Sequence, residues 1–261
     1  MNDSKNPIHP AAANGFTKGA DDYVRGRPDY SPELVGWLRD SLGLGPGKTA
    51  VDLGAGTGKF TPRLLETGAR VIAVEPVAAM RGKLSAALPQ VEAIVGTADA
   101  IPLPGDSVDA VVCAQSFHWF ATREALAEIH RVLKRGGRLG LVWNLRDERT
   151  GWVARLGRIM SRPEGSTPRY YSGAWRAVFP FPGFGPLQEQ HFSHSHTGAP
   201  EEVLLGRVRS ISYIAALPPE EQAKIEEEVR ALMAAEPELR GKERVTVPYQ
   251  TVAFFVVKSG G

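Results

Sequence analysis

Residues Thr49 to Lys59, with the sequence TAVDLGAGTGK, decide the fold of this 261-residue chain. Thr49 to Leu53 is a short apolar run typical of a buried strand, and a helix-like pattern follows Lys59. Three glycines lie between these two segments at Gly54, Gly56 and Gly58. Because glycine has no Cβ, such a turn can adopt positive φ angles and bring a ligand against backbone N–H groups. The stretch therefore predicts a ligand-binding turn between a strand and a helix.

Two acidic residues follow the next two predicted strands. Arg70 to Val74 is a second buried-strand run, and Glu75 after it could accept hydrogen bonds from both hydroxyls of a ribose. A third strand is predicted at Glu92 to Val95, and Asp99 follows it. A carboxylate there could accept a hydrogen bond from the exocyclic amine of adenine. The chain thus contains, in this order, a glycine turn, an acidic residue that could bind ribose and an acidic residue that could bind adenine.

Strand-like and helical patterns alternate through the same region. A fourth strand is predicted at Asp109 to Ala114, and a fifth follows the segment Leu133 to Leu139. Helical patterns cover Val77 to Leu88 and Thr122 to Lys134. Such alternation indicates right-handed crossovers and a parallel sheet with helices on both faces. Ligands of such sheets bind at the carboxyl ends of the strands.

These motifs resemble those of the class I S-adenosylmethionine-dependent methyltransferases, and more narrowly the small-molecule enzymes with a methyltransferase 11 type domain. The detailed match runs from Phe16 to Asn144. The resemblance implies an α/β fold with a Rossmann-like, doubly wound seven-stranded sheet, mostly parallel with an antiparallel last strand, plus an N-terminal lid and an inserted cap. It also implies S-adenosyl-L-methionine as the cofactor and a small-molecule acceptor, which could be a carboxylate, a hydroxyl or phenol, or an amine.

The resemblance implies a set of cofactor contacts. The glycine turn would face the methionine part of the cofactor, while Glu75 and Asp99 would hold the ribose and the adenine. Arg27 could pair with the methionine carboxylate, since arginine fits a carboxylate bidentately. The expected cofactor-binding residues are Tyr23, Arg27, Gly54, Ala55, Gly56, Gly58, Glu75, Pro76, Met80, Asp99, Ala100, Gln115 and Ser116.

The chain length suits one methyltransferase domain spanning residues 1–261. Its expected parts are an arm or lid at 1–30, the cofactor-binding core at 31–144, a cap insertion at 145–186, and C-terminal strands and helices at 187–258 that complete the sheet. The aromatic and cationic residues of the first part fit either a lid or a surface arm, and related enzymes cover the cofactor with such a segment.

Further elements are predicted on both sides of this core. Ser31 suits the N-cap of a helix with Pro32 in its first turn. After the core, helices are predicted at Trp152 to Met160, Ala199 to Ile211 and Pro219 to Glu236, and strands at Leu187 to Ser195 and Thr246 to Val257.

The loop after the fourth strand, Gln115 to Phe120, bears on the acceptor. It lacks the Asp or Asn, two prolines and aromatic that enzymes acting on nucleobase amines place there, which argues against a nucleic-acid substrate. His118 is the candidate catalytic residue, either as a general base or as a structural histidine bonded to backbone. The expected substrate-binding residues are Trp119, Asn144, Tyr170, Arg209 and Tyr213.

Tyr170, Tyr171, Trp175 and Phe179 could line a cap over the substrate or only anchor an irregular insertion. The single cysteine, Cys113, lies in an apolar run and is expected to be a buried, unreactive thiol. Strand alternation would put His194 and His196 on one face and His191 on the other, with no carboxylate or cysteine to complete a set. We therefore expect no metal site.

Charge and hydropathy restrict the partners. Lys and Arg total 31 against 29 Asp and Glu, and the net charge of +2 indicates neither nucleic acid nor an anionic membrane. No apolar run has the length of a signal peptide or a membrane span. We expect a cytoplasmic protein, monomeric or homodimeric.

Two other functions compete with methyl transfer. A nucleotide-dependent oxidoreductase is disfavoured because Lys59 stands where a dinucleotide fingerprint places its third glycine, and because of the adenine acid Asp99. A non-catalytic module could retain the same cofactor cleft. The aromatic lid and cap residues disfavour it, since a scaffold would not need them.

Overall fold

The computed structural model describes residues 26–165 and 167–259. These residues form two compact units. The larger unit comprises Tyr30–Asn144, Pro168–Phe192 and residues 251–259, and the smaller unit comprises residues 26–29, Leu145–Thr167 and Ser193–Gln250. Within these described ranges, no helix combines the length and the apolar composition needed to cross a bilayer.

The regular elements alternate along the chain much as the sequence patterns predict. The strands are β1 (Thr49–Leu53), β2 (Arg70–Val74), β3 (Glu92–Ile94), β4 (Val108–Ala114), β5 (Leu133–Arg146), β6 (Gln188–Gly198) and β7 (Val245–Val257). The α-helices are α1 (Leu34–Asp40), α2 (Thr61–Leu65), α3 (Ala78–Ala87), α4 (Arg123–Val132), α5 (Gly151–Ser161), α6 (Arg207–Arg209), α7 (Ser212–Ala215) and α8 (Pro219–Ala235). Phe117–Trp119 and Ala174–Val178 are 3₁₀ turns, and Glu201–Gly206 is a π-helical segment that leads into α6.

The seven strands form one sheet in the order β3-β2-β1-β4-β5-β7-β6. β1 lies between β2 and β4 and is parallel to both, and β2 with β3 and β4 with β5 are also parallel. β7 is antiparallel to β5, because the N–H of Gly136 donates to Lys258 while that of Asp147 donates to Pro248. This arrangement confirms the predicted Rossmann-like sheet with an antiparallel last strand.

Each unit has its own apolar core. In the larger unit, α1 buries Leu34, Trp37 and Leu38 in one cluster with alanines and valines of β1, β2 and β4. In the smaller unit, α8 buries Ile225, Val229 and Leu232, the residues that its helical period predicts. The predicted helix at Trp152 to Met160 is also confirmed as α5. Cys113 is fully buried in β4, as expected.

Several predicted boundaries were wrong by a few residues. The first helix begins at Leu34 rather than after Ser31, because the carbonyls of Ser31 and Pro32 accept bonds from residues three positions later in a tight turn. β3 ends before the exposed Val95, and β6 extends from Gln188 to Gly198.

The junction of α4 and β5 differs most from the prediction, which extended the helix to Lys134. Thr122 caps α4 by accepting a bond from the N–H of Ala125, but the helix ends at Val132. Leu133 already pairs with Val108 in the sheet. Its carbonyl accepts a bond of 2.6 Å from the buried ammonium of Lys258, a contact that local helical periodicity cannot reveal.

Candidate methyl-donor site

The glycine turn after β1 is built from backbone conformations that favour glycine. Gly54, Gly56 and Gly58 have φ angles of 68°, 60° and 83°. The N–H groups of Gly54 and Ala55 both donate to the carbonyl of Val74 at the end of β2. The turn is therefore fixed against the neighbouring strand, at the carboxyl edge of the parallel part of the sheet.

The three glycines differ in what a side chain would meet. A Cβ on Gly54 would lie 2.8 Å from the Cβ of Ser116, and one on Gly58 would lie 2.9 Å from Cγ of Leu84. A Cβ on Gly56 would have the Met80 methyl group as its nearest neighbour, at 3.8 Å. The protein itself thus fills the space at Gly54 and Gly58, whereas Gly56 has room for a ligand.

Glu75 follows β2 and lies beside this turn. Its carboxylate accepts two backbone hydrogen bonds of 2.8 Å, one from the N–H of Gly56 and one from the N–H of Val77. The residue is 5% exposed. Burial raises the pKa of Glu75 above its ordinary value, although the two N–H bonds act in the opposite direction. Each carboxylate oxygen holds one backbone N–H and keeps acceptor capacity for a further donor.

The other expected cofactor residues after β2 and β3 surround the same edge of the sheet. Pro76 is half-buried after Glu75, and Met80 is buried on α3 with its sulfur facing Gly56. Asp99 and Ala100 are exposed at the tip of a short turn that is closed by a bridge between Thr97 and Ala100. The carboxylate of Asp99 is thus accessible for a ligand amine.

Gln115 and Ser116 directly follow β4. Gln115 has a φ of 57°, which is uncommon for a residue with a side chain and occurs preferentially at functional sites. Its side-chain N–H group donates to the carbonyl of Asn144 at 3.0 Å. The hydroxyl of Ser116 donates to the carbonyl of Leu53, the residue before the glycine turn. These bonds fix the loop after β4 against β1 and β5.

His118 has a side-chain partner that the sequence analysis missed. The indole N–H of Trp143 on β5 donates to Nδ1 of His118 at 3.1 Å. Because an indole nitrogen can only donate, Nδ1 must be the acceptor, and the neutral imidazole carries its hydrogen on Nε2. Trp119 packs against the same ring at 5.2 Å between centroids. The Trp143 indole therefore orients the His118 ring.

An aromatic cluster in the larger unit surrounds Trp143. Trp175 lies 4.7 Å from it between ring centroids, and Tyr170 lies 5.2 Å from it. Trp175 is buried, which favours the anchoring role for this residue, whereas Tyr171 is exposed. Burial raises the pKa of Tyr170 above its ordinary value. The carboxamide of Asn144 accepts a bond of 2.6 Å from Thr251.

Asp52 is a second residue that the sequence analysis did not single out. It is 1% exposed within β1 and accepts a hydrogen bond of 2.7 Å from the hydroxyl of Thr61. Burial raises its pKa to about 7, and the nearby charge of Glu75 adds to this increase. The sequence feature that could have identified Asp52 is its carboxylate inside the otherwise apolar run TAVDL.

The remaining expected site residues belong to the smaller unit or lie outside the described residues. Tyr23 is outside them. Arg27 donates to the carbonyl of Ser210 at 3.2 Å. Arg209 binds both carboxylate oxygens of Glu226, and the hydroxyl of Tyr213 donates to the carbonyl of Met160. These contacts give Arg209 and Tyr213 a role in the packing of the smaller unit.

The three C-terminal histidines have different neighbours. His191 contacts the carboxylate of Glu189 at 2.8 Å, and Nε2 of His194 lies 2.6 Å from the carbonyl of Asp29. Among residues 26–165 and 167–259, no group of three His, Cys, Asp or Glu side chains is placed to hold a metal ion.

The sheet order, the glycine turn and the buried acid after β2 define a class I S-adenosylmethionine-dependent methyltransferase. The methyltransferase domain family matches residues 51–141 of the chain. A methyltransferase-like protein of Schizosaccharomyces pombe is 39% identical over 240 residues, covering 92% of this chain and 93% of the relative. A protein of Mycobacterium tuberculosis described as a methyltransferase is 44% identical over 230 residues, covering 88% of this chain and 90% of the relative.

Solved structures agree with these relatives. A structure from Anaeromyxobacter dehalogenans, described as a type II methyltransferase, is 26% identical with a TM-score of 0.63, and the match covers 88% of this chain and 96% of that one. The chain therefore belongs to the methyltransferase family and is an S-adenosylmethionine-dependent enzyme.

Proposed function

We propose that the larger unit binds S-adenosyl-L-methionine at the glycine turn and transfers its methyl group to a small-molecule acceptor. The observation that carries this proposal is the position of the Glu75 carboxylate. Both of its oxygens are oriented by backbone N–H groups, from Gly56 and Val77. The pair of remaining acceptor sites suits the two adjacent hydroxyls of a ribose.

The surrounding residues fit the rest of such a ligand. The space in front of Gly56 would admit the methionine part, because no protein atom lies closer than 3.8 Å to the position of a Cβ there. Met80 would contact the nucleoside, and the exposed Asp99 would accept a bond from the adenine amine. Gln115 and Ser116 would border the reacting end, since they occupy the loop that is tied to β1 and β5.

When bound, the cofactor supplies an activated methyl group on a positively charged sulfur. The protein's residues then have to bind and align the two reactants and exclude water. The half-buried aromatic residues Trp119 and Tyr170 offer flat apolar surface in the larger unit. These surfaces, together with a net charge of only +2, favour a small organic acceptor over a nucleic acid.

We further propose that His118 acts as a hydrogen-bond donor rather than as a general base. In its neutral form the ring donates through Nε2, because Nδ1 accepts the Trp143 indole hydrogen. Through Nε2 it would orient an acceptor oxygen. A carboxylate acceptor needs no base, and such an acceptor fits this tautomer.

Glu75→Ala should weaken the binding of S-adenosylmethionine by about 1 to 3 kcal/mol, because charge-assisted bonds to the ribose are lost. Isothermal titration calorimetry would measure the change. The affinity of Glu75→Gln should lie between that of Glu75→Ala and that of the unaltered protein, since glutamine keeps one carbonyl acceptor. The control is Glu124→Ala, which removes an exposed glutamate from α4 and should leave the affinity unchanged. Normal affinity in Glu75→Ala would remove the ribose assignment.

His118 should be observed as the Nε2–H tautomer in the folded protein, and long-range ¹H–¹⁵N NMR spectra of the imidazole would identify it. Trp143→Phe removes the donor to Nδ1 and should give a mixture of tautomers. His118→Ala should lower turnover per folded molecule by about 10-fold or less, on the scale of one lost hydrogen bond. A decrease of about 10² to 10⁴ would instead support general-base catalysis.

The acceptor itself can be identified by turnover of a labelled methyl donor over a panel of small acids, phenols and amines. We expect label in at least one small-molecule product. Absence of turnover together with normal donor binding would point to a non-catalytic cofactor-binding module.

A further inference from the structure

Arg146, the last residue of β5, is a buried cation. Its side chain is 7% exposed. Its ion-pair partner among the described residues is Glu148, whose carboxylate lies 3.8 Å away and is itself 45% exposed. That distance is too long for a hydrogen bond. Within residues 26–165 and 167–259, the buried Nε of Arg146 has no hydrogen-bond partner.

Tyr249 on β7 lies opposite Arg146. The N–H of Asp147 donates to the carbonyl of Pro248, which makes these two residues a pair in the antiparallel ladder. The next pair along the ladder is Arg146 with Tyr249, whose side chains therefore project from the same face at adjacent positions. Tyr249 is 5% exposed, and its buried hydroxyl also lacks a hydrogen-bond partner in the described part of the chain.

Both residues belong to the smaller unit, and Tyr249 belongs to its apolar core. That core includes Val247 on the same strand, Trp152 of α5 and Leu204 of the π-helical segment. Tyr249 is thus held in a largely apolar setting, with the His194 ring 6.5 Å away between centroids. Buried polar atoms in native proteins are nearly always hydrogen-bonded, so that two neighbouring unsatisfied donors require a partner.

The chemistry of the two groups indicates which partner fits. A guanidinium presents N–H groups in a planar fork that matches both oxygens of a carboxylate, and a phenol adds one O–H donor. Because the guanidinium donors lie in one plane, they suit the two coplanar oxygens of a carboxylate better than the tetrahedral oxygens of a phosphate. In an apolar setting such a pair is strong, because water does not compete for the donors.

We propose that Arg146 and Tyr249 form a binding site for the carboxylate of a small organic anion. The site lies within the smaller unit and does not depend on the assignment of the methyl-donor residues. Without a ligand, Arg146 is a desolvated charge that destabilises the protein. Binding of a carboxylate compensates this charge and stabilises the folded state.

Thermal unfolding in a chloride buffer tests this proposal, with succinate, succinamide and inorganic phosphate as probes at equal ionic strength. The melting temperature should rise with succinate, and succinamide should have no effect. Arg146→Met should raise the melting temperature of the succinate-free protein by roughly 2 to 8 °C, because it replaces a buried charge, whose ion pair with Glu148 is long, with an apolar side chain. It should also weaken succinate binding by at least about 30-fold in calorimetry.

Tyr249→Phe should weaken succinate binding by about 3- to 10-fold, the effect of one hydrogen bond. The control is Arg240→Gln, which removes an exposed arginine from the same unit and should leave the response intact. If Arg146→Met does not fold, titration of the arginine Nε–H resonances of the unaltered protein replaces it. One of these resonances should then shift with succinate.

Three results would overturn the proposal. The first is a lower melting temperature of Arg146→Met without succinate, which would make Arg146 a structural ion-pair residue. The second is the absence of any succinate-dependent change in the unaltered protein, which would leave water as the partner of the two donors. The third is a stronger response to phosphate than to succinate, which would show a site for tetrahedral anions.

Discussion

Gly56→Val is expected to reduce the affinity for S-adenosylmethionine by at least about 100-fold. Gly56 has a φ of 60°, a conformation that a β-branched residue adopts only with strain. The space at its Cβ position is not filled by the protein, since the Met80 methyl group is the nearest atom at 3.8 Å. The added isopropyl group would therefore occupy the volume in which the ligand meets the backbone.

Gly54→Ala and Gly58→Ala provide matched comparisons for this variant. Their added methyl groups would lie below 3.0 Å from Ser116 and Leu84, so that their main effect should be lost stability. Differential scanning calorimetry and donor titrations on the three variants would separate the two effects. Near-normal donor affinity in folded Gly56→Val would contradict the assignment of this glycine to the ligand site.

Asp52→Asn is expected to change how stability depends on pH. The pKa of Asp52 in the folded protein is raised to about 7 from an ordinary value of 3.8, mainly by burial. The folded protein therefore retains a proton on Asp52 at pH values at which the unfolded chain has lost it. Its contribution to stability is fully present below about pH 4 and is lost as the pH rises toward 7.

Between pH 5 and pH 8, the free energy of unfolding of Asp52→Asn should rise relative to the unaltered protein by roughly 2 to 3 kcal/mol. Urea unfolding at intervals across this range would measure the difference. Asp109→Asn is the control. Burial opposes ionisation of Asp109, but bonds from Lys134, Thr49 and Lys48 lower its pKa, so that its titration lies below this range. If the free energies of unfolding of Asp52→Asn and the unaltered protein differed by a constant amount from pH 5 to pH 8, Asp52 would be ionised over this whole range.

The fold was predictable because its signals are local. A glycine turn directly after an apolar strand, and acids directly after the next two strands, report on neighbouring residues in the chain. Glu75 shows how far this reasoning reaches: the sequence places it directly after β2, and the structure adds that its carboxylate accepts a bond from the N–H of Gly56. The alternation of strands and helices likewise fixed the parallel part of the sheet.

Contacts between distant segments could not be predicted. The bond from Trp143 to His118 joins β5 to the loop after β4, and the ladder position of Tyr249 opposite Arg146 depends on the register of β5 with β7. Neither the period of an element nor its composition contains this information. The same limitation explains the early end of α4, where the ammonium of Lys258 reaches the carbonyl of Leu133.

Other expectations stay predictions. The proposed lid depends on Phe16 to Tyr30, most of which lies outside the described residues, as does Tyr23. The sequence predicts one cap over residues 145–186, but these residues are divided between the two units, with α5 in the smaller and Tyr170 in the larger. The local sequence pattern does not indicate that one part of a connecting segment packs in one unit and the next part in the other.

The order of the strands also bears on how the protein is made. Among the strands that the structure describes, β6 has β7 as its single neighbour in the sheet, and β7 is the last in sequence order. During synthesis, β6 therefore emerges from the ribosome before its pairing partner exists, and β5 has one edge open for the same period. Insertion of β7 between them closes both edges in a single late event, so that the nascent protein exposes two strand edges to chaperones or to aggregation until then.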